Sequence, residues 1–136
     1  MSNTRSTREL EEFFHNSGKP RSKWRVGTEY EKVGIRRDSA KAISYSGPGG
    51  VEAILKALIE EYNWQPIEED GHVIALERGN AQITLEPGGQ IELSGEPCET
   101  IHCTHAEFTQ HIRELLDVSE RMNVVFLGLG IQPVSA

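Results

Sequence analysis

Ile83-Thr84-Leu85-Glu86-Pro87-Gly88-Gly89-Gln90-Ile91-Glu92-Leu93-Ser94-Gly95 is a sequence typical of a β-hairpin. Apolar and polar residues alternate on both sides of the central Pro-Gly-Gly, and alternation at period two indicates strands with one buried face. The proline and the glycines favour a turn between these strands. The predicted apolar face consists of Ile83, Leu85, Ile91 and Leu93, and the predicted polar face of Gln82, Thr84, Glu86, Gln90, Glu92 and Ser94.

Two carboxylates lie on the polar face of this predicted hairpin. A loop from Pro87 to Gly89 places Glu86 opposite Gln90 and Glu92 opposite Thr84, so the two acids become diagonal neighbours. Like charges on one side of a sheet repel each other, and a bound cation relieves that repulsion. A polar face that is merely solvated is the alternative interpretation.

The segment from Trp24 to Ile35 is predicted to form a second strand that also carries paired acids. Alternation places Glu29 and Glu31 on the face that turns apolar at Val33 and Ile35. Ionised carboxylates in a partly enclosed site require a compensating charge. Hard oxygen ligands of this kind suit Mg²⁺ or Mn²⁺ better than zinc. The alternative is an edge strand whose glutamates point into water or pair with Arg25, Arg36 or Arg37.

Length and composition favour one acidic domain. The chain has 136 residues, and 14 basic against 21 acidic residues give a net charge of −7. No cluster of lysines and arginines is interleaved with aromatic residues, so no nucleic-acid partner is expected. No apolar run is long enough for a membrane span, and the polar N-terminus does not resemble a signal peptide or an anchor. Cys98 and Cys103 are expected to be reduced thiols, which favours a cytoplasmic location.

The remaining patterns predict an α+β protein, an antiparallel sheet with flanking helices. A capping box at Ser6 and Glu9 starts a short helix that ends at Gly18. Helices are also predicted at 51–62 and 100–122, the latter with an apolar side of Phe108, Ile112, Leu115, Leu116 and Met122. Strands at 64–68 and 72–77 lead into the hairpin as a meander. The apolar run from Val124 to Ile131 predicts an interior strand, and the chain ends five residues later as if interrupted.

Other candidate sites carry weaker patterns. His102, Cys103 and His105 are compatible with a soft metal, but no second cluster completes four ligands, and an exposed first helical turn is the favoured interpretation. The glycines of Ser46 to Gly50 do not match a P-loop or a dinucleotide fingerprint. His72 and His111 are interpreted as ordinary polar positions, and no pattern indicates a covalent nucleophile.

Two motifs taken together resemble a known family. Gly27-Thr28-Glu29-Tyr30-Glu31-Lys32, followed by Leu85-Glu86-Pro87-Gly88-Gly89-Gln90-Ile91-Glu92-Leu93-Ser94-Gly95, is similar to the plant and proteobacterial type of glutamate-cysteine ligase, also called gamma-glutamylcysteine synthetase. Phe126-Leu127-Gly128-Leu129-Gly130-Ile131-Gln132-Pro133 continues the resemblance, which covers essentially the whole chain. The longer motif is the more specific of the first two.

This resemblance implies a fold related to glutamine synthetase, in which an antiparallel sheet curls into a funnel that holds the active site. It implies ATP-dependent joining of the glutamate side-chain carboxylate to the amine of cysteine through a glutamyl phosphate, the first step of glutathione biosynthesis. Mg²⁺ (or Mn²⁺) is the implied metal and ATP the co-substrate. The implied metal- and nucleotide-binding residues are Glu29, Glu31, Glu86 and Glu92, and Gln90 and Ser94 are candidate substrate contacts.

Members of the family continue well beyond the length of this chain. Residues 1 to 136 are therefore expected to be the N-terminal portion of a longer ligase catalytic domain, with little turnover alone. The alternative is a non-catalytic truncated homologue that binds a cation, or that binds a partner through the strand from Val124 to Ile131.

Overall fold

The computed structural model describes residues 6–133. In chain order its elements are α1 (Thr7–Asn16), a 3-10 turn (Arg21–Lys23), β1 (Glu29–Arg36), α2 (Val51–Tyr62), β2 (Gln65–Glu69), β3 (His72–Arg78), β4 (Ala81–Glu86), β5 (Gln90–Ser94), α3 (Ile101–Arg121) and β6 (Val124–Leu127). The predicted α+β class, with an antiparallel sheet and flanking helices, is confirmed.

The six strands form one antiparallel sheet in the order β2-β3-β4-β5-β1-β6. Strands β2 to β5 form the meander that the turn patterns predict. Strand β1 lies between β5 and β6, so it joins two segments that are distant in sequence. The sheet therefore places the acids of β1 beside the hairpin of β4 and β5.

The hairpin has the predicted register. Glu86 pairs with Gln90 and Thr84 with Glu92, while the apolar residues pair with one another on the other face. Gly88 and Gly89 have φ values of 80° and 74°. This left-handed backbone region is costly for residues with a Cβ atom, which explains the two glycines in the turn.

Helices α2 and α3 cover one face of the sheet. Leu76, Ile83, Leu93 and Tyr30 occupy successive strands as one cross-strand row of this face. The row belongs to a hydrophobic cluster that also contains Ile54, Leu55 and Leu58 of α2 and Leu115 and Val118 of α3. The opposite, polar face carries no helix of the cluster and is the face of the candidate site.

Helix α3 has nearly the predicted bounds but a different buried side. Thr100 caps its first turn by accepting from the backbone N–H of Cys103. Leu116, predicted to be apolar core, is 46% exposed, whereas His111 and Glu114 are buried. The interpretation of His111 as an ordinary polar position is therefore wrong. Tertiary contacts explain why a different side of the helix is buried, because Glu114 accepts hydrogen bonds from Trp64 and Arg78 beneath the helix.

Strand β6 differs from the prediction of an interior strand over Val124 to Ile131. It ends at Leu127, pairs only with β1 and forms an edge of the sheet within residues 6–133. The backbone N–H of Leu129 donates to the carbonyl oxygen of Leu127 at 2.9 Å. This tight turn, centred on Gly128 and followed by Gly130, ends the strand early.

Helix α1 begins with the predicted capping box. Ser6 and Glu9 exchange side-chain to backbone hydrogen bonds at its N-terminus. None of its residues is buried, and Phe13 and Phe14 are 55% and 74% exposed. Within the part of the chain that the structure describes, no helix has both the length and the apolar character needed to cross a bilayer.

Candidate functional site

The polar face of the sheet brings the predicted acids together. Glu31 of β1 lies directly opposite Glu92 of β5, and Glu29 lies opposite Ser94. Residues paired across strands project to the same side of a sheet. Glu92 also pairs with Thr84 on its other flank, and Glu86 lies one pair further toward the turn. The face therefore presents all four predicted glutamates, with the Glu31 and Glu92 pair at its centre.

Burial differs between these acids. Glu92 is only 8% exposed, and its strand is flanked by β4 and β1, whereas Glu29 and Glu31 are exposed on the part of β1 that β6 does not pair with. Ser94 Oγ donates to Glu92 Oε1 at 2.8 Å and so fixes the orientation of this carboxylate. Glu92 is consequently the anchored member of the pair, and Glu31 the accessible one.

The four glutamates have no direct ion-pair partner in the part of the chain that the structure describes. Within residues 6–133, Glu29, Glu31, Glu86 and Glu92 form no ion pair with lysine, arginine or histidine. Arg25 pairs with Glu99 and Arg37 with Glu120 instead. Arg36 donates to backbone carbonyl oxygens. The structure thus argues against the alternative in which these arginines pair with the acids.

Gln90 has an unused acceptor beside these acids. Its Nε2 donates to the carbonyl oxygen of Pro87 at 3.1 Å, which fixes the amide group. Its Oε1 is buried and has no partner among the described residues. A buried acceptor without a donor is costly, so a ligand that donates to Oε1 stabilises this arrangement.

Lys32 was not predicted as a functional residue, and it lies behind the acidic face. It pairs with Ile91 on the helix-covered side and is almost fully buried. Burial lowers the pKa of Lys32 to about 7, although the charges of Glu92 and Glu31 act in the opposite direction. Its Nζ donates to the carbonyl oxygen of Tyr30 at 2.5 Å and lies 4.1 Å from the centre of the Tyr30 ring. Strand alternation was the available signal for this burial, since neighbouring residues of a strand lie on different faces and Lys32 follows Glu31.

The donor chemistry of the polar face fits Mg²⁺ or Mn²⁺, but the ligand set is partial. Carboxylate and amide oxygens are the ligands that these ions prefer. Residues 6–133 contain no group of three or more His, Cys, Asp or Glu side chains placed closely enough to hold a metal ion. The face therefore offers a carboxylate pair with neighbouring acids rather than a complete coordination shell.

Cys98 and Cys103 are joined by a disulfide, which corrects the prediction of reduced thiols. Cys98 exchanges two backbone hydrogen bonds with Val26, and Cys103 lies in the first turn of α3. These contacts bring the two Cα atoms to 5.7 Å, a separation suited to a disulfide. The two cysteines therefore no longer support the prediction of a cytoplasmic location. His102 and His105 are exposed, as the interpretation of an exposed first turn predicts.

Comparison with known proteins gives a consistent family. The model of glutamate-cysteine ligase family 2 matches residues 25–136. The chain is 45% identical over 115 residues to glutamate–cysteine ligase A, chloroplastic, of Oryza sativa subsp. japonica, covering 85% of this chain and 23% of the relative. It is 38% identical over 125 residues to glutamate–cysteine ligase, chloroplastic, of Medicago truncatula, covering 92% and 24%.

A third relative agrees with these two. The chain is 39% identical over 115 residues to glutamate–cysteine ligase, chloroplastic, of Arabidopsis thaliana, covering 85% of this chain and 22% of the relative. The chain thus spans about a quarter of the length of the curated relatives that it matches. The family match includes every strand of the sheet and all four glutamates of the polar face. The chain belongs to the glutamate-cysteine ligase family.

Proposed function

We propose that the polar face is the metal- and nucleotide-binding wall of an ATP-dependent ligase that joins the side-chain carboxylate of glutamate to the amine of cysteine. The observation that carries this proposal is the direct pairing of Glu31 with Glu92, neither of which forms an ion pair with a side chain among residues 6–133. Such a pair is unfavourable in an empty sheet and favourable beside a cation. The family relationship supports a reaction in which such a cation is used.

The reaction proceeds in two displacements. An oxygen of the glutamate side-chain carboxylate attacks the terminal phosphorus of ATP, which releases ADP and forms a glutamyl phosphate. The cysteine amine then attacks the acyl carbon, loses a proton and displaces phosphate. Because a carboxylate and a triphosphate repel each other, the first step needs positive charge near both of them.

The residues of the chain take distinct roles in this proposal. Glu29, Glu31, Glu86 and Glu92 would hold Mg²⁺ (or Mn²⁺), which supplies charge neutralisation when bound. Ser94 orients the Glu92 carboxylate, and Gln90 Oε1, which has no partner among the described residues, would accept a hydrogen bond from substrate. Lys32 lies on the other face of the sheet from the carboxylate pair, and its positive charge reduces the repulsion between Glu31 and Glu92.

Because the chain spans about a quarter of its curated relatives, the complete activity requires additional polypeptide in this proposal. That polypeptide would complete the coordination shell and most of the amino-acid pockets. A funnel related to glutamine synthetase is the proposed complete fold. The relatives are named chloroplastic, and a cytoplasmic location for this chain is our proposal, to be tested by imaging a fluorescent fusion.

The test is ADP release by a ligase that contains residues 25–136 in place of its own matching segment. We expect release that requires glutamate and cysteine together, and that falls by about 100-fold or more in Glu92→Gln, because loss of a group that stabilises transition-state charge costs this much. Glu60→Gln on the outer side of α2 is the matched control and is expected to retain activity. Release that continues without cysteine, or that is unchanged in Glu92→Gln, contradicts the proposal.

A binding module without turnover is the second candidate function. The observation that favours it is the exposed apolar side of α1, where Leu10, Phe13 and Phe14 contact no core. The edge of β6 adds unpaired backbone groups within the described residues. Sedimentation of the wild type and of Phe14→Ser tests this function. Association through α1 is expected in the wild type and is expected to be lost in the variant. If both chains sediment as monomers, the binding function is contradicted.

A further inference from the structure

The backbone after β5 is held by a side chain of helix α3. Strand β5 ends at Ser94, and the backbone N–H of Gly95 still donates to the carbonyl oxygen of Thr28 at 2.7 Å. The next N–H, of Glu96, has left the strand ladder and donates at 2.8 Å to Oε1 of Glu107, in the second turn of α3. Because a partly buried N–H without an acceptor is destabilising, this side-chain bond replaces the missing ladder partner.

Glu107 also packs closely against the backbone of Gly95. A Cβ atom on Gly95 would overlap Oε2 of Glu107, and it would lie 3.3 Å from the carbonyl oxygen of Thr28. This Oε2 is buried and has no hydrogen-bond partner among the described residues. The carboxylate of Glu107 is therefore held by its bond to Glu96 and by its fit against a residue without a side chain.

The segment that Glu107 holds is the one that fixes the Glu92 carboxylate. Ser94 pairs with residues of both β4 and β1, and its Oγ donates to Oε1 of Glu92 at 2.8 Å. Oε1 of Glu96 accepts from the backbone N–H of Asn80, between β3 and β4, at 3.1 Å. The end of β5 is thus tied to α3 and to a neighbouring turn. Strand ends that lose such contacts fray, and fraying here reaches Ser94 first.

We propose that Glu107 is a positioning residue for the acidic face: through the end of β5 it fixes Ser94, and through Ser94 the carboxylate of Glu92. Glu107 belongs to α3, which covers the opposite face of the sheet, so it acts without contacting a bound cation. Residues that orient metal ligands in this way typically change metal affinity by about 10- to 100-fold. The effect on a cation rests on the proposed function, whereas the positioning of Glu92 does not.

Two substitutions separate the hydrogen bond of Glu107 from its charge. Glu107→Gln and Glu107→Ala both remove the charge, but only Gln retains an acceptor for the N–H of Glu96. In titrations of the chain with Mn²⁺, we expect Glu107→Ala to weaken binding by about tenfold or more. Glu107→Gln is expected to stay within about threefold of the wild type, and Glu120→Ala, at an exposed acid of the same helix, within about twofold. Equal weakening by Gln and Ala, or no weakening by Ala, overturns the proposal.

Nuclear magnetic resonance in EDTA tests the positioning without a cation. We expect Glu107→Ala to shift the carboxyl ¹³C resonance of Glu92 and to speed exchange of the Glu96 amide by about tenfold or more, because the amide loses its acceptor. Glu107→Gln and Glu120→Ala are expected to leave both near the wild type. An unchanged Glu92 resonance in Glu107→Ala overturns the proposal. If these effects appear but the wild type does not bind Mn²⁺, the proposed cation site fails and the positioning stands.

Gly95→Ala disturbs the same contact from the other side and provides a second variant if Glu107→Ala does not fold. Urea denaturation establishes which variants are folded. Because the added methyl group displaces the Glu107 carboxylate, we expect the same shift of the Glu92 resonance and a similar weakening of Mn²⁺ binding. Adding Gly95→Ala to Glu107→Ala is expected to weaken binding by less than about twofold more, since the contact is already lost. Fully additive effects of the two substitutions, or a Glu92 resonance that Gly95→Ala leaves unchanged, would overturn the proposal.

Discussion

At the scale of single residues, Glu31 and Glu92 place two like charges opposite each other on neighbouring strands. Directly opposed like charges on neighbouring strands destabilise a sheet by about 0.2 to 1 kcal/mol. Glu31→Gln removes this repulsion without changing the size of the side chain. We expect the free energy of unfolding in EDTA to rise by about 0.5 kcal/mol, measured by urea denaturation. Glu60→Gln, an exposed acid of α2 without an ion pair among the described residues, is the control and is expected to show no gain. A decrease for Glu31→Gln would show that the carboxylate makes a favourable contact in the empty protein.

His111 gives a pH-dependent prediction. It is buried, both ring nitrogens have no hydrogen-bond partner among the described residues, and burial together with the charges of Lys32 and Arg78 lowers its pKa from 6.5 to about 3. Between these values the unfolded chain binds the proton and the folded chain does not. Stability contributed by neutral His111 is therefore lost as the pH falls from 6.5 toward 3.

The variant His111→Leu is expected to remove this loss. Relative to the wild type, it should gain about 2 kcal/mol in unfolding free energy at pH 5, because that pH lies 1.5 units below the unfolded pKa. Urea denaturation at pH 5 and pH 7.5 measures the difference. His102→Leu, at an exposed position of α3, is the control with no expected pH effect. An equal change at both pH values would assign the effect to packing rather than to proton binding.

At the scale of elements, the disulfide joins the end of the hairpin to the first turn of α3. It closes a short loop, with a sequence separation of 5 residues. The chain-entropy relation gives about 2 kcal/mol for a loop of this length. Cys103→Ser, at the exposed partner, is expected to lower the unfolding free energy by about this amount, and reductant should have the same effect on the wild type. If reductant lowers the stability of Cys103→Ser as strongly, the bond is not the cause.

The elements that sequence predicts well are those defined by local patterns. The hairpin follows from strict alternation around Pro87-Gly88-Gly89, and α2 follows from a helical apolar period that ends at Asn63 in a left-handed conformation. The side of α3 that is buried could not be read from its apolar residues, because Glu114 is held by Arg78 and Trp64 from other elements. Strand β6 was predicted too long, since its apolar run continues past the turn after Leu127.

At the scale of the whole molecule, the sheet order decides the site. Alternation predicted that Glu29 and Glu31 share one face and that Glu86 and Glu92 share another. The pairing of Glu31 with Glu92 joins residues 61 positions apart, and no local pattern specifies such a register. The burial of Lys32, which pairs with Ile91 of β5, also depends on this non-local arrangement. The sequence therefore predicted the four acids as candidate ligands, but not how they meet in the sheet.

Binding of Mn²⁺ to the chain is the measurement that tests the divalent-cation site that we propose at Glu31 and Glu92. Electron paramagnetic resonance measures the free Mn²⁺ remaining at each protein concentration. We expect saturable binding by the wild type and by Glu60→Gln, competition by Mg²⁺, and loss of this binding in Glu31→Gln/Glu92→Gln. Binding by the double variant equal to that of the wild type, or no binding by the wild type, would contradict a cation site at these two glutamates.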